Sequence, residues 1–118
     1  MEKKYCLIGK TLKHSFSPQI HAYLGDYDYT LVEVAEENLQ SFVKSKEYAG
    51  YNVTIPYKKD IIKYLDSVED VAKEIGAVNT VVNKNGKLVG YNTDFYGMNY
   101  ALFRADISLL GKKVMILG

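Results

Sequence analysis

Short apolar runs recur along the chain and alternate with stretches whose apolar residues fall at helical spacing. Runs such as YCLI and the start of YNVTIP have the length and composition of strands. Phe95, Met98 and Leu102 instead recur at three- and four-residue steps, so they share one helix face. This alternation predicts an α/β domain with an open, mostly parallel twisted sheet, one antiparallel β-hairpin strand, and helices on both faces. Strands are expected near residues 5–8, 29–34, 50–53, 78–83 and 87–91. Helices are expected near 18–24, 37–45, 57–65, 68–75 and 95–103.

The segment VVNKNGKLVGYNTD sharpens the pattern, because Asn85-Gly86 is the strongest short signal for a two-residue type I′ hairpin turn. Counting outwards sets the register: Lys84 faces Lys87, Asn83 Leu88, Val82 Val89, Val81 Gly90 and Thr80 Tyr91. Asn79 and Asn92 then meet at the open end of the hairpin, two residues from Asp94. Further on, LLGKKVMILG reads as a turn, two lysines and the apolar run 114–117 closing on Gly118. That run is either a further strand of the same sheet or the opening strand of a dinucleotide-binding unit. The second reading divides the chain into a substrate-binding domain over 1–112 and the start of a cofactor domain over 113–118.

Composition narrows the function classes. The chain has 118 residues, enough for one domain with a real core, and its 47% hydrophobic and 25% charged content is that of a globular protein. Fifteen Lys and Arg against fourteen Asp and Glu leave a net charge of +1, so no broad field favours nucleic acid or an anionic membrane. An anionic ligand has to be held locally. The single Cys6, inside YCLIG, reads as a buried strand residue, and one cysteine excludes a disulfide framework. The N-terminal MEKKYCLIGK lacks the apolar segment of a signal peptide, which makes a reducing cytoplasm the default. His14 and His21 have no partner at metal-ligand spacing, so no metal is expected.

Three segments place polar residues at the carboxyl ends of predicted strands, where open α/β sheets bind ligands. In HSFSPQIH, Ser17 before Pro18 signals a helix start, with the serine at the N-cap and proline at N1. Ser15, Ser17 and the free N–H groups there form a seat for a carboxylate or phosphate, or else Ser17 merely caps the helix. In YNVTIPYK the strand delivers Asn52 and Thr54, and Pro56 is placed to open a helix with Lys58 in its first turn. A cation there opposes the macrodipole, so Lys58 reads either as a ligand-binding residue or as a solvated surface lysine. Asp94 precedes FYGMNYALF and is either an N-cap or a site carboxylate.

In order, HSFSP, NVTIPYK, GAVNT and YNTD resemble the substrate-binding domain of the shikimate dehydrogenase family, over nearly the whole chain from YCLIG to VMILG. That resemblance implies reversible NADP-linked interconversion of 3-dehydroshikimate and shikimate. It places Ser15 and Ser17 on the substrate carboxylate, Thr54, Asn79 and Asp94 on ring hydroxyls, and Asn52 in support. Lys58, which also contacts substrate, forms the catalytic pair with Asp94. Hydride transfer at a carbinol carbon needs the hydroxyl proton to leave or return, and a positioned ammonium can donate it and stabilise alkoxide charge. NADP is expected to be bound mainly by a separate domain, so this chain should bind substrate without catalysing alone. The charge balance leads to the expectation of no nucleic-acid or membrane partner, and the resemblance leaves a homodimer, and acceptance of quinate, open. Many relatives place glycine directly after the aspartate, where this chain has NTDFYG. Two other classes remain: a methylenetetrahydrofolate dehydrogenase, which HSFSP argues against, and a non-catalytic module that senses a polyhydroxy acid.

Overall fold

The structure is a computed structural model that describes residues 2–118. Six strands form one sheet: β1 (Lys4–Gly9), β2 (Asp28–Glu33), β3 (Gly50–Val53), β4 (Ser67–Val68), β5 (Thr80–Lys84) and β6 (Lys87–Tyr91). Their order is β2-β1-β3-β5-β6-β4. β1 runs parallel to β2 and β3, and β4 parallel to β6, while β5 is antiparallel to both its neighbours. The helices are α1 (Ser17–Leu24), α2 (Leu39–Ser45), α3 (Asp70–Ile75) and α4 (Thr93–Arg104), with 3₁₀ turns at Glu36–Asn38 and Asp60–Tyr64. This is the expected architecture. The β5–β6 register also matches in all five pairs, and Asn85 and Gly86 take positive φ of 53° and 86°, as a type I′ turn requires.

Side chains alternate across each strand, so the sheet separates two environments. Cys6 and Ile8 of β1 lie opposite Tyr51 and Val53 of β3, and Tyr51 opposite Val81 of β5; all belong to the buried core. Leu39 and Val43 of α2, Ile61 of the 3₁₀ turn Asp60–Tyr64, and Ala72 of α3 close that face. The intervening residues, Leu7, Asn52 and Thr80, share the other face. There α1 packs through His21, whose ring stacks on Tyr29 of β2 at 3.7 Å and 9°. Burial pushes the Cys6 thiol up to about 12, with a smaller push from the Glu47 carboxylate, so it stays a neutral core side chain.

Several boundaries differ from the expectation. No α-helix spans 57–65. The Ile55–Pro56 peptide is cis, the chain turns, and only the 3₁₀ turn Asp60–Tyr64 follows. One bond, from Ile61 N to Tyr57 O, spans four residues, but those from Ile62 N to Lys59 O and from Leu65 N to Ile62 O show the three-residue closure. The cause is tertiary. The Lys58 carbonyl, which an α-helix would offer to Ile62, accepts Val78 N at 2.7 Å. Tyr57 is fully buried and its hydroxyl donates to Val34 O. Lys58 is therefore not in a helical first turn, and the macrodipole argument for it falls. Val68 pairs with Gly90 in β4, so α3 starts later than expected, at Asp70. The run 114–117 forms no strand and is exposed, and the sixth strand of the sheet is β4.

Candidate functional site

The carboxyl end of β1 is laced by backbone bonds to the segments that follow β2 and β3. Thr54 N donates to Ile8 O at 2.9 Å, Lys10 N to Ile55 O at 3.3 Å, and Val34 N to Gly9 O at 2.9 Å. Gly9 permits this closeness, because a Cβ there would stand 2.8 Å from both Leu12 Cδ2 and Thr54 Cγ2 and 3.2 Å from the Ile55 carbonyl. The loops after β1 and β3 and the start of α4 bound a cavity of about 480 Å³, in the range of small-molecule sites. Ser15, Ser17, Asn52, Thr54, Lys58, Asn79 and Asp94, drawn from four separate segments, all line it.

Lys58 Nζ donates to Asp94 Oδ2 at 2.8 Å, with Lys58 one-third exposed and Asp94 more open. The ammonium is thus held at the cavity with protons still available. Its backbone is fixed from both sides, by the buried Tyr57 before it and by the bond from Val78 N to its own carbonyl. The serine turn differs in detail from the expectation. Phe16 occupies the cap position, Ser17 is the first residue of α1, and no side chain caps the helix. Ser17 N donates instead to Ser15 Oγ at 3.2 Å, so the Ser17 hydroxyl is not used for capping and the Ser15 hydroxyl proton is free to donate. Asp94 is not an N-cap either. That role belongs to Asn92, whose Oδ1 accepts Phe95 N at 3.1 Å while its Nδ2 donates to Ala77 O at 3.0 Å.

Asn79 and Asn92, expected to face each other, turn to different partners: Asn79 binds Thr93 through both ends of its amide. Thr80 and Thr93 contribute to this network, although no sequence signal separates them from their neighbours; they lie inside GAVNT and YNTD. Tyr29 reaches Asn52 from β2, at 2.7 Å, and has no motif around it. α4 buries no residue within the chain; Asn92, Asp94 and the bond from Tyr96 to Glu69 tether its first turns.

The described residues contain no glycine-rich turn at a helix N-terminus that would seat a pyrophosphate, and the first βα turn reads GKTLKHSFS. The described residues thus offer no pyrophosphate seat of that kind.

A family model described as the shikimate dehydrogenase substrate binding domain matches residues 7–81. Among curated proteins, the shikimate dehydrogenase (NADP(+)) of Methanococcus maripaludis is 48% identical over 120 residues, covering 95% of this chain and 43% of that protein. The enzyme of the same name from Clostridium beijerinckii is 45% identical, covering 97% of this chain and 45% of that protein. Among solved structures, a shikimate dehydrogenase from Peptoclostridium difficile matches with a TM-score of 0.83 and 37% identity, covering 91% of this chain and 43% of that one. The Thermus thermophilus enzyme in complex with NADP(H) and shikimate matches with a TM-score of 0.83 and 35% identity, covering 91% of this chain and 44% of that one. The chain spans less than half the length of these relatives. Its matched residues, its sheet and the four motif segments around one cavity place the chain in the shikimate dehydrogenase substrate binding domain family.

Proposed function

We propose that this chain is the substrate-binding and proton-handling part of an NADP-dependent shikimate dehydrogenase of the cytoplasm, with residues 113–118 opening the cofactor domain. The observation that carries the reading is the convergence of the seven polar residues on one cavity, with Lys58 and Asp94 in contact at 2.8 Å. In this reading the hydroxyls of Ser15 and Ser17 hold the carboxylate of shikimate. Thr54, Asn79 and Asp94 take the ring hydroxyls, and Asn52 supports them.

NADP would be held mainly by the cofactor domain and would supply or accept the hydride there. Lys58 then handles the proton of the reacting hydroxyl, giving it as the alcohol forms and taking it back in reverse. Its ammonium also offsets the negative charge that develops on that oxygen. Asp94 holds the ammonium in place.

Calorimetric titration of the chain with shikimate tests the reading. Binding is expected, and Ser15→Ala and Ser17→Ala should each weaken it by about 1–2 kcal/mol, the worth of a charge-assisted hydrogen bond. NADP should produce no binding heat. Unchanged affinity in both serine variants would overturn the carboxylate assignment, and tight dinucleotide binding would overturn the division of labour.

A further inference from the structure

A run of side-chain hydrogen bonds links Tyr29 on β2 to Thr93 at the start of α4, and one backbone amide sets its direction. Thr93 N donates to Asn79 Oδ1 at 2.8 Å, and a backbone N–H can only donate. The atom it meets is therefore the amide oxygen, which leaves Asn79 Nδ2 to donate to Thr93 Oγ1 at 2.8 Å. Thr80 Oγ1 lies 3.1 Å from the same amide oxygen, so the hydroxyl proton has to point at it. That hydroxyl then offers Asn52 only lone pairs, and Asn52 Nδ2 donates to it at 3.1 Å. Asn52 Oδ1 is left for the Tyr29 phenol, which donates at 2.7 Å.

We propose that Tyr29, which does not line the cavity, is a positioning residue for the substrate site, locking the amides of Asn52 and Asn79 in one orientation through Thr80. The lock has a chemical consequence. Asn79 Oδ1 already accepts two bonds, so Asn79 can meet a ligand only as an N–H donor. Asn52 keeps one N–H beyond the bond to Thr80. Asn79 is therefore restricted to donating and Asn52 has a donor to offer, so the site favours ligand oxygens able to accept. Tyr29 itself is held independently of the run: its ring stacks on His21, whose Nδ1 lies 2.6 Å from the Tyr27 hydroxyl. Burial raises the Tyr29 phenol to about 12, offset in part by the Ser17 hydroxyl, so the phenol stays protonated and able to donate at any working pH.

The ligand consequence rests on the shikimate reading, whereas the orientation of the amides does not, and two measurements separate them. In ¹⁵N–¹H spectra of the chain without ligand, Tyr29→Phe keeps the stacked ring and removes only the hydroxyl. It is expected to move the side-chain amide signals of Asn52 and Asn79 and the backbone amide of Thr93. The Leu88 amide, bonded to Asp66, should stay in place. In shikimate titrations, Tyr29→Phe and Thr80→Val should each weaken binding about three- to tenfold, the worth of one neutral hydrogen bond. The double variant should lose little more than either alone, because both break the same run. Thr80→Ser, which keeps the hydroxyl, should bind as the unaltered chain does. An unmoved Thr93 amide in Tyr29→Phe, or full additivity in the double variant, overturns the proposal. An unaltered chain that fails to bind shikimate overturns the substrate reading, and the spectra still decide the positioning role.

Discussion

The two faces of the sheet are built from alternate residues of the same strands, yet they follow different rules. Toward α2 and α3 the strands offer Cys6, Ile8, Tyr51, Val53 and Val81, packed in an apolar core where burial supplies the stability. Toward α1 they offer Leu7, Asn52 and Thr80, and the polar groups there are bonded to one another in a fixed direction. In the strand GYNV, Val53 belongs to the first system and its neighbour Asn52 to the second. Such a design separates stability from chemistry by a single residue of register. Substitutions on the two faces should therefore fail in different ways.

The largest contrast is between Ile8 and Lys58. Ile8 is fully buried, and Ile8→Ala should lose about 2–5 kcal/mol in urea unfolding, with the affinity of the molecules that remain folded changed less than about twofold. Lys58→Ala should do the reverse. Its ion pair with Asp94 is largely exposed, so stability should change by less than about 1 kcal/mol. With a cofactor domain attached, the same change should lower kcat by at least about 10²-fold with little change in affinity. Lys58→Arg should not restore it, since a guanidinium does not release its proton near neutral pH. Retention of more than about a tenth of kcat in Lys58→Ala would break the assignment of proton transfer.

Gly9 is where the two systems meet, and it should respond in both assays. A methyl group there would press on Leu12, Thr54 and the Ile55 carbonyl at once. The expected loss for Gly9→Ala is about 1–3 kcal/mol of stability, the usual range for overpacking. It should also weaken shikimate binding, because relieving the contact displaces the Thr54 side chain or the Ile55 backbone beside the cavity. A Gly9→Ala chain that loses stability but binds normally would show that the lacing does not shape the site.

Elements whose cause is local could be read in the sequence. The β5–β6 register follows from Asn85-Gly86, whose conformation depends on little beyond those two residues. The region from Thr54 to Asp66 depends on distant ones. Its apolar spacing suits a helix, but the Lys58 carbonyl goes to Val78 and the Tyr57 hydroxyl to Val34, and neither partner lies within the segment. The site shows the same division. Ser15, Asn52, Lys58 and Asp94 sit in motifs and converge as expected on one cavity. Tyr29 acts from 23 residues before Asn52, in a strand that reads only as DYTLVE. Only the parallel pairing of β1 with both β2 and β3 brings it within reach.

The smallest expected effect is also the sharpest comparison of the two faces, because Tyr51 and Tyr29 differ in what their hydroxyls do. Tyr29 donates into the polar run, whereas the buried Tyr51 hydroxyl has no hydrogen-bond partner among the described residues. Burial pushes the Tyr51 phenol strongly upwards, with the Cys6 thiol adding to the shift, so it remains neutral and contributes no charge. Its ring packs edge-on against Phe42 at 5.3 Å, a contact that phenylalanine would preserve. Removing the hydroxyl eliminates a desolvated polar group while leaving the shape of the core almost unchanged. Tyr51→Phe should thus equal the parent in urea unfolding or exceed it by about 1 kcal/mol, and shikimate affinity should not move. A loss of more than about 1 kcal/mol would mean that the hydroxyl is hydrogen-bonded in solution, and the core face would then carry a polar device of its own.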